Sequence, residues 1–480
     1  METGGGARIR GIGPLAPSEL DEGTIVVLPS ISFPPEELRK IVAIQHYEER
    51  LLCLLLLLRN PRLRMLFVSS MRVPEPVVDY YLAHLEDPRD AADRLFVLSL
   101  NDPSPRALTE KVLDDPYAPK RIAELGAATH QSYILPFNVS ELEVRLSEVT
   151  GVPLYGPPLD RVPLGSKSGS RRVAQRAGVP ILPGAEDVFD LVTLQRELER
   201  LRDEHPDATA AVIKLNDGFS GQGNSVVRLD ALGATPPETP TVFCAAEESW
   251  ETYGPKVEQG GAVVELLMRD PRPASPSVQM RILPDGNHEI VSTHDQLLGG
   301  PDDQVYLGCR FPADDSYRDL IQGHAHNIAK VLAAEGVIGS FAMDFVVTLD
   351  REAYLSEINL RMGGTTHPFL MARFASGGRY DEVTGELMTD RGPRVYVATD
   401  NLKSERYVGI DPIEVIAALK SEGLAFHRRN QTGILVHLLG ALRGYGKVGA
   451  TCIGESSIEA DGLYAAFVGL LDELAASHGQ

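Results

Sequence analysis

Gly339-Ser-Phe-Ala-Met-Asp344-Phe-Val-Val-Thr-Leu-Asp-Arg-Glu-Ala-Tyr-Leu-Ser-Glu357-Ile-Asn359-Leu-Arg361 is the stretch whose reading decides the fold. Phe341–Thr348 and Ala353–Ile358 are short, aromatic and aliphatic runs separated by Leu349-Asp350-Arg351-Glu352, a pattern that predicts a β-hairpin. A loop centred between Asp350 and Arg351 sets Asp344 directly opposite Glu357. Carboxylates opposed across a ladder lie about 5 Å apart and repel. Acids on hairpins are usually solvated surface, but these are embedded in apolar strands and need a cationic partner. Asn359 follows on the same face with a neutral oxygen, and Arg361 stands where the strand ends. Two carboxylates and an amide oxygen suit Mg²⁺, which keeps several waters and takes its other ligands from substrate phosphates. The expectation is a Mg-nucleotide site with Asp344, Glu357 and Asn359 as metal ligands.

Composition bounds the rest. The chain has 480 residues, 43% of them apolar and 24% charged, which is ordinary for a soluble protein of about three domains. Leu51-Leu-Cys-Leu-Leu-Leu-Leu-Leu58 is far shorter than the roughly 18 residues needed to span a bilayer and reads as a buried helix. Met1-Glu-Thr-Gly-Gly-Gly lacks a basic region followed by an apolar core, so a cytoplasmic location is expected. Cys53, Cys244, Cys309 and Cys452 are far apart and without metal-ligand spacing, which predicts reduced, mostly buried thiols. A net charge of −21 argues against nucleic-acid or anionic-membrane partners. A nucleotide site in such a chain has to be locally basic.

Along the chain, Ile25–Leu28, Met65–Val68, Leu95–Leu98 and Ser132–Leu135 read as buried parallel strands, alternating with helices at Pro35–Leu58, Pro76–His84 and Arg106–Leu125. This predicts a Rossmann-like open α/β sheet without the GxGxxG turn of a dinucleotide site. A Gly- and Pro-rich boundary at Gly151–Pro163 precedes a short helix ending at Gly178, a strand at Ala210–Leu215, a strand at Ala262–Leu267, a hairpin about Asp285-Gly286 and a helix at Tyr317–Glu335. From about Asp400 the chain holds Ile413–Leu419, Gly433–Leu439 and an amphipathic helix at Tyr464–Ala475. The glycine-rich Gly433–Gly454 segment suits either a cover over a second substrate or a subunit contact in a homodimer.

Val212-Ile-Lys214-Leu-Asn-Asp-Gly218-Phe-Ser-Gly221-Gln-Gly223 places a lysine at a strand end just before a loop with three glycines. Such a loop brings backbone N–H groups close to a polyphosphate while the lysine adds a point charge. It is not a GxxxxGK[ST] P-loop. The order Lys167, Lys214 with its loop, the strand ending Val264-Glu265-Leu266-Leu267, then Asp344, Glu357, Asn359 and Arg361, resembles the ATP-grasp superfamily over roughly residues 150 to 375.

That resemblance implies an α/β and α+β multidomain chain: a Rossmann-like N-terminal layer (1–150), an ATP-grasp fold (151–400, with a lid at about 165–265) and a small C-terminal domain (401–480). It further implies that Lys167 and Lys214 grip phosphates, with Arg171 or Arg172 as alternatives to Lys167. Gly218, Ser220, Gly221, Gln222 and Gly223 would form the lid loop, and Glu265, Leu266 and Leu267 would contact adenine. Asp344, Glu357 and Asn359 would hold Mg²⁺, and Arg361 would steady the transferred phosphate or the acyl phosphate, with Lys214 as the other catalytic cation.

His294-Asp-Gln, Gly308-Cys-Arg-Phe-Pro312 and Arg361-Met-Gly-Gly-Thr-Thr-His-Pro368 further resemble the pheganomycin-type peptide ligases of natural-product biosynthesis. The resemblance implies that an amino-acid carboxylate, one bearing a guanidino group, is phosphorylated by ATP and joined to the amino group of a peptide, with release of ADP and phosphate. Arg281, Arg310, Thr365, Thr366 and His367 are the candidate substrate residues, His367 as a base for the amine. Two other readings keep the fold: a thiol or bicarbonate nucleophile in place of the amine, and a regulatory nucleotide binder without turnover. No biotin-carrier segment is evident at the C-terminus, which argues against the carboxylating relatives.

Overall fold

Four near-continuous apolar runs cannot each bury both faces unless helices cover them on two sides. The structure, a computed structural model, describes residues 22–218, 221, 223–268, 273–299 and 305–478. In it β1 (Gly23–Leu28), β2 (Leu63–Ser69), β3 (Leu95–Ser99) and β4 (Ser132–Pro136) form a parallel sheet in the order β3-β2-β1-β4. Two of the expected helices are interrupted. Arg106–Leu125 is two helices, Leu108–Asp114 and Ala118–Ala127, because Pro116 disfavours the helical region for Asp115. Asp115 is extended, and its carboxylate accepts from the N–H groups of Tyr117 and Ala118 to restart the chain. Pro35–Leu58 is likewise a short helix, Pro35–Leu38, and a 3₁₀ helix, Ile44–Arg59, parted at Ala43, whose φ is +64°. Leu51 to Leu58 are all buried there, packed against both the first sheet and the C-terminal strands, so an all-round apolar helix is satisfied without a membrane. Among the described residues, no helix is long and apolar enough to cross one.

The lid is a self-contained antiparallel sheet in the order β5-β9-β6-β7-β8, from β5 (Gly184–Val188), β6 (Ala210–Leu215), β7 (Asn224–Arg228), β8 (Thr241–Phe243) and β9 (Ala262–Leu266). Its own core, including Leu194, Leu198, Ile213 and Val264, is closed by the helices Leu191–Glu204 and Trp250–Gly260. Glu248 of the lid reaches Lys40 of the first layer at 3.0 Å.

The third body is a ten-stranded sheet of β10 (Pro276–Ile282), β11 (His288–Gly299), β12 (Val305–Phe311), β13 (Gly339–Val347), β14 (Ala353–Asn359), β15 (Arg379–Asp381), β16 (Glu386–Thr389), β17 (Gly392–Lys403), β18 (Gly433–His437) and β19 (Lys447–Gly454). β17 pairs with both β12 and β19, so the boundary expected at residue 400 falls inside a strand, and the C-terminal segment shares one sheet with the hairpin. The Gly433–Gly454 segment supplies β18 and β19, and its Lys447 lines a cleft. Its two strands are buried throughout and pair with each other inside the subunit.

Leu55 is fully buried where these bodies meet. Leu55→Ala is expected to lower the unfolding free energy by about 3 kcal/mol, measured as a lower urea midpoint at unchanged slope.

Candidate active site

The hairpin forms as its alternation requires. Phe341, Met343, Phe345 and Val347 enter the core under the helices Asp315–Ala334 and Lys167–Ala177, while Ala342, Asp344 and Val346 line a cleft. Asp344 pairs with Glu357, as the loop position predicts, but between Asp344 and Phe345 the register shifts, leaving Ser356 as an extra residue on β14. A bulge re-aims the side chains beside it. Consecutive residues Ser356 and Glu357 therefore both face the cleft, which an unbroken strand would not allow.

Each acid has compensating donors. Gln296 Nε2 donates to Asp344 Oδ1 at 2.6 Å. Asn359 Nδ2 donates to Asp344 Oδ2 at 3.1 Å and to Glu357 Oε1 at 2.7 Å, and Lys167 Nζ donates to Glu357 Oε2. One atom thus touches both carboxylates, so the two can converge on a single cation, and hard oxygen donors suit Mg²⁺. The Asn359 oxygen, expected to face the metal, instead accepts from Arg361 Nη2 at 2.8 Å. Two anions that close bind the donor side of an amide, and the choice of amide face is an assignment from this network. Burial raises the Asp344 pKa, opposed by Ser277, Lys167, Arg361 and Gln296. Among the described residues no group of three or more His, Cys, Asp or Glu side chains could hold a metal, so any ion here rests on the two acids and neutral oxygens.

Lys167 opens the helix Lys167–Ala177 and Lys214 is the last residue but one of β6; both are buried in the cleft wall. Burial and the cations of Lys214 and Arg361 push Lys167 down to about 7. Lys214 Nζ donates to Ser356 Oγ at 2.9 Å and pairs with Glu265 Oε1 at 2.5 Å. Arg171 and Arg172 are otherwise engaged. Arg171 binds Glu186, Glu265 and the Leu182 carbonyl, and Arg172 binds Asp187. Burial lowers Arg361 to about 10, which leaves it cationic.

Gly218 and Gly221 line the same cleft, whereas Ser220 and Gln222 lie outside the described residues. A Cβ on Gly223 would come within 2.8 Å of Gly218 Cα, so the base of the loop closes only with glycine there. Leu266 and Leu267 border the cleft, with their N–H groups bonded to the carbonyls of Pro183 and Ala210. The Glu265 carboxylate is taken up by Arg171 at 2.9 Å and by Lys214, so the side chain is a counter-ion.

Of the expected substrate residues, Thr365 lines the cleft and four do not. Arg281 pairs with Glu289 opposite it on β11. Arg310 pairs with Asp461 on the surface at 2.8 Å. Thr366 holds a turn, donating to Gln279 at 2.9 Å and accepting from the Gly363 N–H. His367 is buried 3.0 Å from His437, and burial beside that ring and Arg50 holds it well below its usual value, which makes it a poor base near neutrality.

Tyr47 and Arg50 from the N-terminal layer, and Asp400, Asn401 and Lys447 from β17 and β19, also line the cleft and went unread in the sequence. No local pattern marks them, since they converge from segments hundreds of residues apart. The cleft has a volume of about 1120 Å³ and is lined by seven basic and five acidic side chains, so it is locally basic in a chain of charge −21.

The chain is similar to several known proteins. The model of the IQCH-like ATP-grasp family matches residues 162–236 and 238–360, and that of the PGM1 C-terminal domain matches 414–467. The chain is 29% identical over 461 residues, 93% of its length and 94% of the relative's, to the L-propargylglycine–L-glutamate ligase of Streptantibioticus cattleyicolor. It is 22% identical to the IQ motif-containing protein H of Danio rerio over 68% of this chain and 36% of that one. Among solved structures, the ADP complex of an N5-carboxyaminoimidazole ribonucleotide synthetase superposes with a TM-score of 0.54 at 13% identity, covering 94% and 97% of the two chains. Biotin carboxylase from Campylobacter jejuni does so at 0.54 and 15%, covering 91% and 88%.

Because Glu265 neutralises two buried cations, Glu265→Ala is expected to cost about 3–5 kcal/mol of stability. Denaturant unfolding checks this; a contact made only to a nucleotide would leave the ligand-free protein unchanged.

Proposed function

We propose that the chain is an ATP-dependent ligase of the ATP-grasp superfamily, which activates the carboxylate of an amino acid as an acyl phosphate and couples it to the amino group of an amino acid or peptide. The observation that carries this reading is the convergence of Lys167, Lys214 and Arg361 on the Asp344/Glu357 pair inside one cleft. Phosphoryl transfer to a carboxylate asks for charge neutralisation and alignment rather than a protein nucleophile. Asp344 and Glu357 would hold Mg²⁺, which supplies neutralising charge on the phosphates. Lys167 and Lys214 bind phosphate oxygens from two directions, one from a helix start and one from the lid, and Arg361 orients the acceptor carboxylate.

The bond from the γ-phosphorus to its bridging oxygen breaks and ADP leaves, while a carboxylate oxygen takes the phosphoryl group. The amine then attacks the carbonyl carbon, a C–N bond forms, phosphate leaves and the amine gives up a proton. Water competes for the same carbonyl, so closure of the Gly218–Gly223 loop over the site protects the intermediate. The named bacterial relative joins two amino acids, and its similarity along nearly the whole chain supports the same bond type here.

Phosphorus NMR of the protein with ATP, Mg²⁺, hydroxylamine and a panel of amino acids is expected to show ADP and phosphate, together with the hydroxamate of the activated acid. AMP and pyrophosphate would overturn the mechanism, and bicarbonate-dependent ADP release without an amino acid would point to the carboxylating chemistry. Glu357→Gln is expected to lower kcat by about 10²-fold or more while thermal unfolding changes little. Chelation of divalent cations should abolish turnover and excess Mg²⁺ restore it.

A further inference from the structure

Arg50, in the 3₁₀ helix Ile44–Arg59, is only 4% exposed, yet it stands in the cleft wall. Its guanidinium lies 4.7 Å from the Tyr47 ring centre and 5.1 Å from that of Phe137, which fixes the plane of the group. Nε donates to the Tyr47 carbonyl at 3.3 Å, and Nη1 makes a long contact, 3.4 Å, with Asp400 Oδ2. Nη2 meets no acceptor among the described residues. A buried cationic donor left unpaired is costly, and an arginine fork held flat by two rings is shaped for a carboxylate.

Beside it Lys447 is 5% exposed. Its Nζ donates to Tyr47 Oη at 2.6 Å and to Asn401 Oδ1 at 2.7 Å, which uses two of its three protons. Asp400, also buried, is the one carboxylate of this group. The group lines the same cleft as Arg361. None of these side chains has a task in phosphate or metal chemistry.

We propose that Arg50, Lys447 and Asp400 form a subsite for the zwitterionic head of a free α-amino acid, with the carboxylate on the Arg50 fork and the Lys447 ammonium and the amino group facing Asp400. The ligand is an amino acid on the strength of the ligase reading above. The carboxylate bound here is not the one that is phosphorylated. It belongs either to the acid being activated, which then reacts through a second carboxylate, or to the amino acid that supplies the amine.

The test is calorimetric binding of the twenty L-amino acids and their carboxamides, with Mg²⁺ and a non-hydrolysable ATP analogue, to the wild-type chain, Arg50→Met and Arg50→Lys. At least one free acid is expected to bind the wild type about tenfold or more tightly than its amide. Arg50→Met should erase that ratio. Arg50→Lys, which keeps the charge if Met does not fold, should weaken the acid and leave the amide unchanged. Equal binding of acid and amide by the wild type, a ratio that survives both substitutions, or no amino acid binding at all overturns the subsite.

ADP release with hydroxylamine as sole amine assigns the carboxylate. A KM for the activated acid that rises in Arg50→Lys places it on the donor, and an effect seen only when an amino acid supplies the amine places it on the acceptor. ADP release without acid-over-amide discrimination leaves the ligase and removes the subsite. Discrimination with no ADP from any acid leaves the subsite and removes the ligase.

Discussion

Two carboxylates face each other across the β13–β14 ladder, and much of the site is arranged to keep that repulsive pair in place. Asp344 and Glu357 share the donors of one amide, with a glutamine on one acid and a lysine on the other. The lysine comes from a helix 190 residues earlier in the chain, so neutralising the pair also fixes that helix against the sheet. Opposite charge is supplied by geometry rather than by composition, because the chain as a whole carries a large negative charge. The same pair that would destabilise an isolated hairpin is held here by protein donors, and in the proposed function a divalent cation would take their place.

Glu265 performs a parallel task for the lid. It neutralises Arg171 and Lys214 together, and Lys214 reaches over to the bulged Ser356 of the central sheet. The lid sheet has its own apolar core. Lys40 and Glu248 form an ion pair between lid and first layer. Both side chains of that pair are largely buried, so the contact ties the two bodies together more firmly than an exposed pair would.

The far end of the cleft is made by the two ends of the chain. The polyleucine helix buries its apolar face between the first sheet and the C-terminal strands and thereby brings Tyr47 and Arg50 up to Asp400 and Lys447. Packing therefore sets where this end of the cleft lies.

Much of the hairpin end of the cleft was legible in the sequence because it is written in local patterns. Period-two alternation placed Asp344 against Glu357, the lysine before three glycines marked the lid loop, and four apolar runs gave the parallel sheet. What escaped was non-local or set by competition between neighbours. Arg281, Arg310 and His367 look suited to a substrate, yet each is satisfied by a partner that sequence spacing does not reveal: Glu289, Asp461 and His437. The bulge at Ser356 is invisible in the alternation it breaks. Only the tertiary structure decided that Glu265 is a counter-ion, that β17 joins the C-terminal segment to the central sheet, and that Arg50 meets Lys447. The physical reason is range: hydrogen-bonding periodicity acts over a few residues and can be read along the chain, whereas a buried charge takes its partner from whatever packing brings within about 3 Å.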